Sequence, residues 1–121
     1  MSDLNERREK GKSLAAKLLD GVPPPAKMPK KFVDYTLEHV FGDVWQDESM
    51  SLEERSLVTC TMLVVMNREP EMRVHFRGAY NLGIPKEKIE GMIIHAAHYG
   101  GWPVAASAFR VLAEAWPEDQ G

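Results

Sequence analysis

The clearest pattern in the chain is a helical spacing of apolar residues that recurs three times in its second half. From Glu71 to Leu82 the apolar positions fall at i, i+4, i+7 and i+8, and Gly83 ends the segment. Pro85 begins a second such segment, which runs to Gly100, and a third follows the turn at Trp102. The apolar positions of the three predicted helices are Met72, Phe76, Ala79 and Tyr80; Ile89, Met92, Ile93, Ala96 and Ala97; and Ala105, Ala108, Phe109, Leu112 and Trp116.

The first half of the chain begins with a weaker helical pattern and a proline-rich connector. Loosely periodic apolar residues predict a first helix from Asp3 to Leu19. The segment from Val22 to Pro29 is a stiff connector, because proline fixes φ and removes backbone donors. A second helix is predicted from Pro29 to Gly42, with an irregular apolar face made of Phe32, Tyr35, Val40 and Phe41. The following GDVWQDESM is typical of a loop and carries one large aromatic residue, Trp45.

A capping box marks the start of another helix in the middle of the chain. Ser51 and Glu54 stand three residues apart before an apolar run, so each side chain can bond the other's backbone donor. The run from Leu57 to Met66 is rich in β-branched residues, which alone would favour a strand. The cap and a length of about 15 residues favour a helix buried on most sides instead.

These segments predict an all-α fold, a single-domain bundle of about six helices. No alternating strand pattern and no internal repeat accompany them. A chain of 121 residues has the length of one domain, and its apolar share of 44% is that of a globular protein. We therefore predict one domain over residues 1–121, in which residues 1–30 form the N-terminal helix and connector and residues 31–116 the core.

Charge and cysteine content narrow the possible partners. The net charge of −3 and the scattered basic residues exclude a nucleic-acid footprint. The single cysteine, Cys60, excludes an internal disulfide and any CxxC redox or zinc motif. The charged N-terminus is unlike a signal peptide, and no apolar stretch reaches the roughly 18 residues of a membrane span. We expect a cytoplasmic protein that binds neither nucleic acid nor membrane.

Two predicted helices each carry a histidine on or beside their apolar side. His75 lies between Met72 and Ala79 on the helical wheel, and Arg68 and Glu71 precede it on the same edge. On the next helix His95 and Tyr99 are i, i+4 neighbours that flank the apolar stripe. The competing interpretation is that these histidines are hydrogen-bonded core residues, which is the commoner role of such a histidine. No HExxH-like spacing supports a metal site.

From Arg55 to Phe109 the chain resembles the carboxymuconolactone decarboxylase family. The similar elements are RSLVT, NRE at Asn67–Glu69, HxR at His75–Arg77, NLGI and HxxxYxGxP at His95–Pro103, with GDVW upstream. The resemblance implies a subunit with the fold of alkyl hydroperoxide reductase D that assembles into trimers or hexamers and uses no metal or organic cofactor. The peroxidases of that superfamily carry a CxxC motif four residues before a histidine, where this chain has Arg68, Glu71 and His75. Ser56 stands in place of the peroxidases' glutamate, and without two thiols the peroxidase reaction is excluded.

The resemblance therefore implies the decarboxylase branch, whose typical substrate is 4-carboxymuconolactone in aromatic compound catabolism. We predict a carbon–carbon lyase with catalytic residues His75, His95 and Glu71, in which the two histidines line a shared pocket and one or both donate a proton. The predicted substrate-binding residues are Arg68, Arg77, Tyr99 and Trp102, and the predicted partner is a small carboxylate or lactone. Two alternatives remain open: a family member that acts on another small lactone or ring substrate, and a non-enzymatic oligomeric binding protein.

Overall fold

The structure is a computed structural model that describes residues 3–23 and 25–119. It is 77% helical, and its described residues form six α-helices and no strand, which confirms the predicted all-α bundle. The helices are α1 (Leu4–Leu18), α2 (Lys30–Tyr35), α3 (Leu52–Val65), α4 (Glu69–Asn81), α5 (Lys86–Gly100) and α6 (Trp102–Ala115). Pro24 of the predicted connector, and residues 1–2 and 120–121 of the predicted domain, lie outside the described residues.

Helices α3 to α6 enclose the main hydrophobic core. α3 packs against α4, α5 and α6, and α6 also packs against α4 and α5. The apolar stripes read from the sequence supply most of the buried residues, among them Met72, Phe76, Ile89, Ile93, Ala108 and Leu112. Phe109 is the exception, because it is 37% exposed.

The capping box at the start of α3 is present as predicted. The Ser51 hydroxyl accepts a hydrogen bond from the Glu54 backbone N–H at 3.1 Å, and the Glu54 carboxylate accepts one from the Ser51 N–H at 2.8 Å. The backbone hydrogen bond from Ser51 lowers the pKa of the Glu54 carboxyl. The apolar run after the cap is helical to Val65, so the cap and the segment length outweighed its β-propensity.

A second, smaller hydrophobic cluster joins α1 to the segment before α3. It consists of Leu14, Leu18, Phe41 and Trp45. α2 continues into a π-helical turn, Thr36–Phe41, which packs along α1. A Cβ on Gly11 would overlap the backbone oxygen of Leu37, so glycine permits this close approach. The predicted loop around Trp45 is a short 3₁₀ turn, Val44–Gln46, that places the indole in this cluster.

The surfaces of α2 and α3 differ from the sequence prediction. Phe32, Tyr35 and Val40 are exposed, whereas Glu38 on the same stretch is buried. Arg8 of α1 binds the Glu38 carboxylate through Nε at 2.8 Å, so an ion pair lies between α1 and this stretch. Phe41 is buried as expected. α3 is also less buried than expected, because Val58, Met62, Val65 and Met66 form an exposed stripe along it.

Candidate active site

His75 lies where the two hydrophobic clusters meet. Its ring is half-buried and stacks on the indole of Trp45, with ring centroids 6.5 Å apart and planes inclined by 25°. Among the described residues, the enclosed Nδ1 of His75 has no hydrogen-bonding partner. The backbone oxygen of His75 accepts a hydrogen bond from the Cys60 thiol at 3.5 Å.

Burial and one nearby charge shift the pKa of His75 in opposite directions. Desolvation lowers the pKa of the imidazole, because burial disfavours its charged form. The carboxylate of Glu71, one helical turn earlier, works against this and raises the same pKa. Burial is the larger effect, so the ring is mainly neutral at pH 7 in the free protein.

Arg68 and Glu71 continue the edge of α4 that carries His75. Arg68 Nε donates to Glu71 Oε1 at 2.6 Å, and the side chains of both residues remain substantially exposed. Glu71 and His75 lie one turn apart on the same edge of α4, as the sequence spacing predicted, and Arg68 is the residue that precedes the helix. The first turns of α4 therefore present a cation, a carboxylate and a histidine in succession.

His95 and Tyr99 lie on the surface of α5. Their rings stack with centroids 5.1 Å apart, and Tyr99 is 80% exposed. Trp102, at the start of α6, is 69% exposed and meets His98 edge-on. α4 and α5 each pack along α3 and α6 and make little contact with one another, so His75 and His95 lie on helices that are not direct neighbours.

Arg77 lies on the opposite side of α4 from His75. Two residues along an α-helix correspond to a rotation of about 200°. Its Nε donates to Asn81 Oδ1 at 3.4 Å, and its guanidinium group lies over the ring of Tyr80. One subunit therefore does not bring Arg77 together with Arg68.

Two residues near the site were not singled out as functional by the sequence analysis. Trp45 covers His75, and Arg55, in the first turn of α3, binds the loop after Trp45 with only 13% of its side chain exposed. The Arg55 guanidinium donates to the Asp47 backbone oxygen at 3.1 Å, while its enclosed Nε has no partner among the described residues. With Arg7 and Lys10 it lines a cavity of about 420 Å³ beside the Trp45 turn. The only sequence signal for these residues was their place in GDVW and RSLVT.

Cys60 is unsuited to thiolate chemistry. It is fully buried in the main core, and burial raises the pKa of its thiol to about 12. Among residues 3–23 and 25–119, no three histidine, cysteine, aspartate or glutamate side chains are grouped as ligands for a metal ion. No described helix has the length and apolar character needed to cross a membrane.

Comparison with known proteins identifies the family. The model of the carboxymuconolactone decarboxylase family matches residues 30–114, and the chain belongs to this family. It is 30% identical over 87 residues to the 4-carboxymuconolactone decarboxylase of Acinetobacter baylyi, covering 72% of this chain and 65% of that protein. This confirms the resemblance seen in the sequence motifs.

Two further relatives match shorter stretches. Nitrosuccinic acid decarboxylase of Metarhizium robertsii is 34% identical over 74 residues, which are 61% of this chain and 52% of that protein. Peroxisomal protein 2 of Saccharomyces cerevisiae is 42% identical over 59 residues, 48% of this chain and 21% of its own length. The chain thus spans less than two thirds of the length of each of these three relatives.

Proposed function

We propose that the protein is a cofactor-independent decarboxylase of a small lactone carboxylic acid, similar to 4-carboxymuconolactone decarboxylase. Family membership and two relatives named as decarboxylases support a carbon–carbon lyase. The observation that carries the proposal is His75, a half-buried imidazole with an unpartnered Nδ1 and the Arg68–Glu71 pair on the same helix edge. The predicted roles in aromatic compound catabolism and in the cytoplasm stay predictions from the sequence.

The substrate itself makes this reaction feasible without a cofactor. The carboxylate on the ring of 4-carboxymuconolactone is vinylogous to the lactone carbonyl. Electrons left by the departing CO2 therefore delocalise into a dienolate, which a proton on carbon then quenches. The protein must supply a cation that orients the carboxylate, a donor for the developing oxyanion and an acid.

Arg68 and His75 supply the cation and the acid in this proposal. Arg68 is exposed at the helix edge, so a substrate carboxylate can bind its guanidinium group in competition with Glu71. The bound anion raises the pKa of His75, because an opposite charge nearby favours the imidazolium form. In the complex the imidazole ring of His75, neutral in the free protein, therefore takes up a proton. The carboxylate of Glu71 favours this protonation, because it also raises the pKa of the ring. Arg77 lines a different cavity and takes no part.

We propose that a neighbouring subunit brings His95, Tyr99 and Trp102 to this site. These side chains are exposed beside the apolar stripe of α3, and Val65 lies close to Gly100 at the end of α5. Monomeric proteins rarely leave such a continuous apolar surface in water. A homotrimer or homohexamer would cover it and place His95 opposite a His75 of another subunit. Tyr99 would then donate to the lactone oxygen.

The test is release of CO2 by the purified protein from 4-carboxymuconolactone, with nitrosuccinic acid as the second compound. Turnover of 4-carboxymuconolactone that falls on replacing His75 with Asn supports the proposal. Turnover of nitrosuccinic acid alone would instead indicate a decarboxylase of another small acid. If neither is turned over but one raises the melting temperature, the protein is a non-enzymatic binder or acts on a different small acid. Turnover that is unchanged in His75→Asn contradicts the assignment of the site.

A further inference from the structure

A second cavity lies on the far side of α4 from His75. Its volume is about 280 Å³, and it is enclosed by the connector after α1, the middle of α4 and the end of α6. The residues that line it are Gly21, Val22, Pro23, Arg73, Val74, Arg77, Glu114 and Ala115. Two arginines and a single glutamate line this cavity, so its side chains carry a net positive charge.

Arg77 is held in a fixed position at this cavity. Its Nε donates to Asn81 Oδ1 at 3.4 Å, and its guanidinium group lies 5.6 Å from the centre of the Tyr80 ring. Asn81 is anchored in turn, since its Nδ2 donates at 2.8 Å to the backbone oxygens of Leu18 and Asp20. The guanidinium is therefore ordered before any ligand arrives, which reduces the entropy cost of binding.

Gly21 makes room for that guanidinium. Its φ is +81°, a left-handed conformation that favours glycine. A Cβ at this position would overlap the terminal nitrogens of Arg77. The connector thus lies directly against the guanidinium group and forms one wall of the cavity.

The charge of the cavity leaves one cation uncompensated. Arg73 is paired with Glu114, whose carboxylate oxygen lies 2.5 Å from the arginine nitrogen. Arg73 and Arg77 outnumber the single carboxylate of the lining, so the cavity carries a net positive charge. The remaining walls are apolar and are formed by Val22, Pro23, Val74 and Ala115. A guanidinium group of this kind binds a carboxylate through two parallel hydrogen bonds.

We propose that this cavity binds a small monocarboxylate with an apolar body, as a ligand site separate from His75. The carboxylate pairs with Arg77, and the apolar body lies against the valine, proline and alanine side chains. One uncompensated cation matches one carboxylate, and the apolar walls favour an organic acid over inorganic phosphate. The site stands independently of the decarboxylase reaction, because none of its residues takes part in that proposal.

Methyl-selective NMR titration of the assembled protein with benzoate tests the site. The methyl signals of Val22, Val74 and Ala115 should shift and saturate together, while those of Leu52, near Trp45, report on the other site. Arg77→Gln should weaken benzoate binding at these methyls about tenfold or more, because a charged hydrogen-bonding partner is lost. The control Arg110→Gln, which breaks a comparable surface pair with Glu69, should leave the affinity unchanged.

Two further titrations and one variant complete the test. Benzamide and inorganic phosphate should bind more weakly than benzoate, since one lacks the charge and the other the apolar body. Arg73→Gln, at a residue whose side chain is 46% exposed, should also weaken benzoate binding, because it removes one of the two positive charges that line the cavity. Equal affinity for benzamide or phosphate, shifts confined to Leu52, or unaltered benzoate binding in Arg77→Gln would overturn the proposal.

Discussion

The indole of Trp45 stacks on the imidazole of His75, although the two residues belong to different parts of the fold. Trp45 packs with Leu14 and Leu18 of α1, whereas His75 lies on α4 beside the main core. The contact therefore makes the environment of the histidine depend on how the N-terminal helix is packed. Removal of water by the indole contributes to the burial that lowers the pKa of His75.

Replacing Trp45 with Phe should raise the pKa of His75 towards its ordinary value, because a smaller ring leaves more of the imidazole in water. Trp45 is only 7% exposed, so the loss of packing should also lower the free energy of unfolding by about 1–3 kcal/mol. NMR titration of the His75 ring protons measures the first effect and urea unfolding the second. A His75 titration identical in both proteins would contradict the role given to Trp45.

The stability of the protein should fall as the pH is lowered through the range where His75 titrates. The pKa of His75 in the folded protein is below 6.5, its ordinary value, so the unfolded chain binds the proton more readily. Stability is then complete above the unfolded pKa and is lost as the pH falls towards the folded one. Urea unfolding from about pH 8 to about pH 5 should show a steeper loss for the unaltered protein than for His75→Gln. Parallel curves would show that burial does not perturb His75.

Cys60→Ser should leave kcat nearly unchanged, because a fully buried thiol with a pKa of about 12 stays protonated. The serine should nevertheless cost about 1–3 kcal/mol of stability by placing a hydroxyl in the apolar core. Cys60→Ala is the matched control, since it removes the sulfur without adding a polar group. A large loss of kcat in both well-folded variants would assign the thiol a catalytic role.

Met62→Glu should weaken the assembly of subunits, because it introduces a charge into the exposed apolar stripe of α3. Sedimentation should show the unaltered protein as a trimer or hexamer and the variant as smaller species. Leu4→Glu is a matched control on α1, since Leu4 is 51% exposed and Met62 52%. If the unaltered protein sediments as a monomer at micromolar concentration, the proposal that a neighbouring subunit completes the site is wrong.

Most of the fold could be predicted from local patterns. The stripes of α4 and α5 and the capping box of α3 depend on nearby residues, and the structure confirms them. The predicted apolar face of the second helix was wrong at Phe32, Tyr35 and Val40, although Phe41 is buried as predicted. Glu38 is buried instead, because it binds a charged partner thirty residues away, Arg8. Such an ion pair depends on how α1 packs against the π-helical turn, and the spacing of residues within either segment does not predict this packing.

The candidate site could be predicted only in part, because some of its contacts depend on tertiary packing and not on local sequence spacing. The edge formed by Arg68, Glu71 and His75 follows from helical geometry alone. Trp45 reaches His75 only through the tertiary fold, so its neighbours in sequence gave no sign of the contact. The shared pocket of His75 and His95 stays a prediction, because it depends on contacts between subunits.

Arg68→Ala and the histidine variants together separate substrate binding from proton transfer. Loss of the guanidinium group should raise KM about tenfold or more with a smaller effect on kcat, because binding of the carboxylate precedes the chemistry. Arg110→Ala, which removes another exposed arginine from an ion pair, is the control. An unchanged KM in Arg68→Ala would assign the carboxylate to a different cation.

The most direct test of the central claim is kcat for CO2 release by His75→Ala and His95→Ala, each shown to be folded and assembled. Removal of a general acid costs typically 10²- to 10⁴-fold in rate, so His75→Ala should lose about that much kcat with little change in KM. His95→Ala should lose activity as well if a neighbouring subunit brings this ring to the site. Near-normal kcat in both variants on the substrate that is turned over would contradict the account and leave the histidines as structural residues.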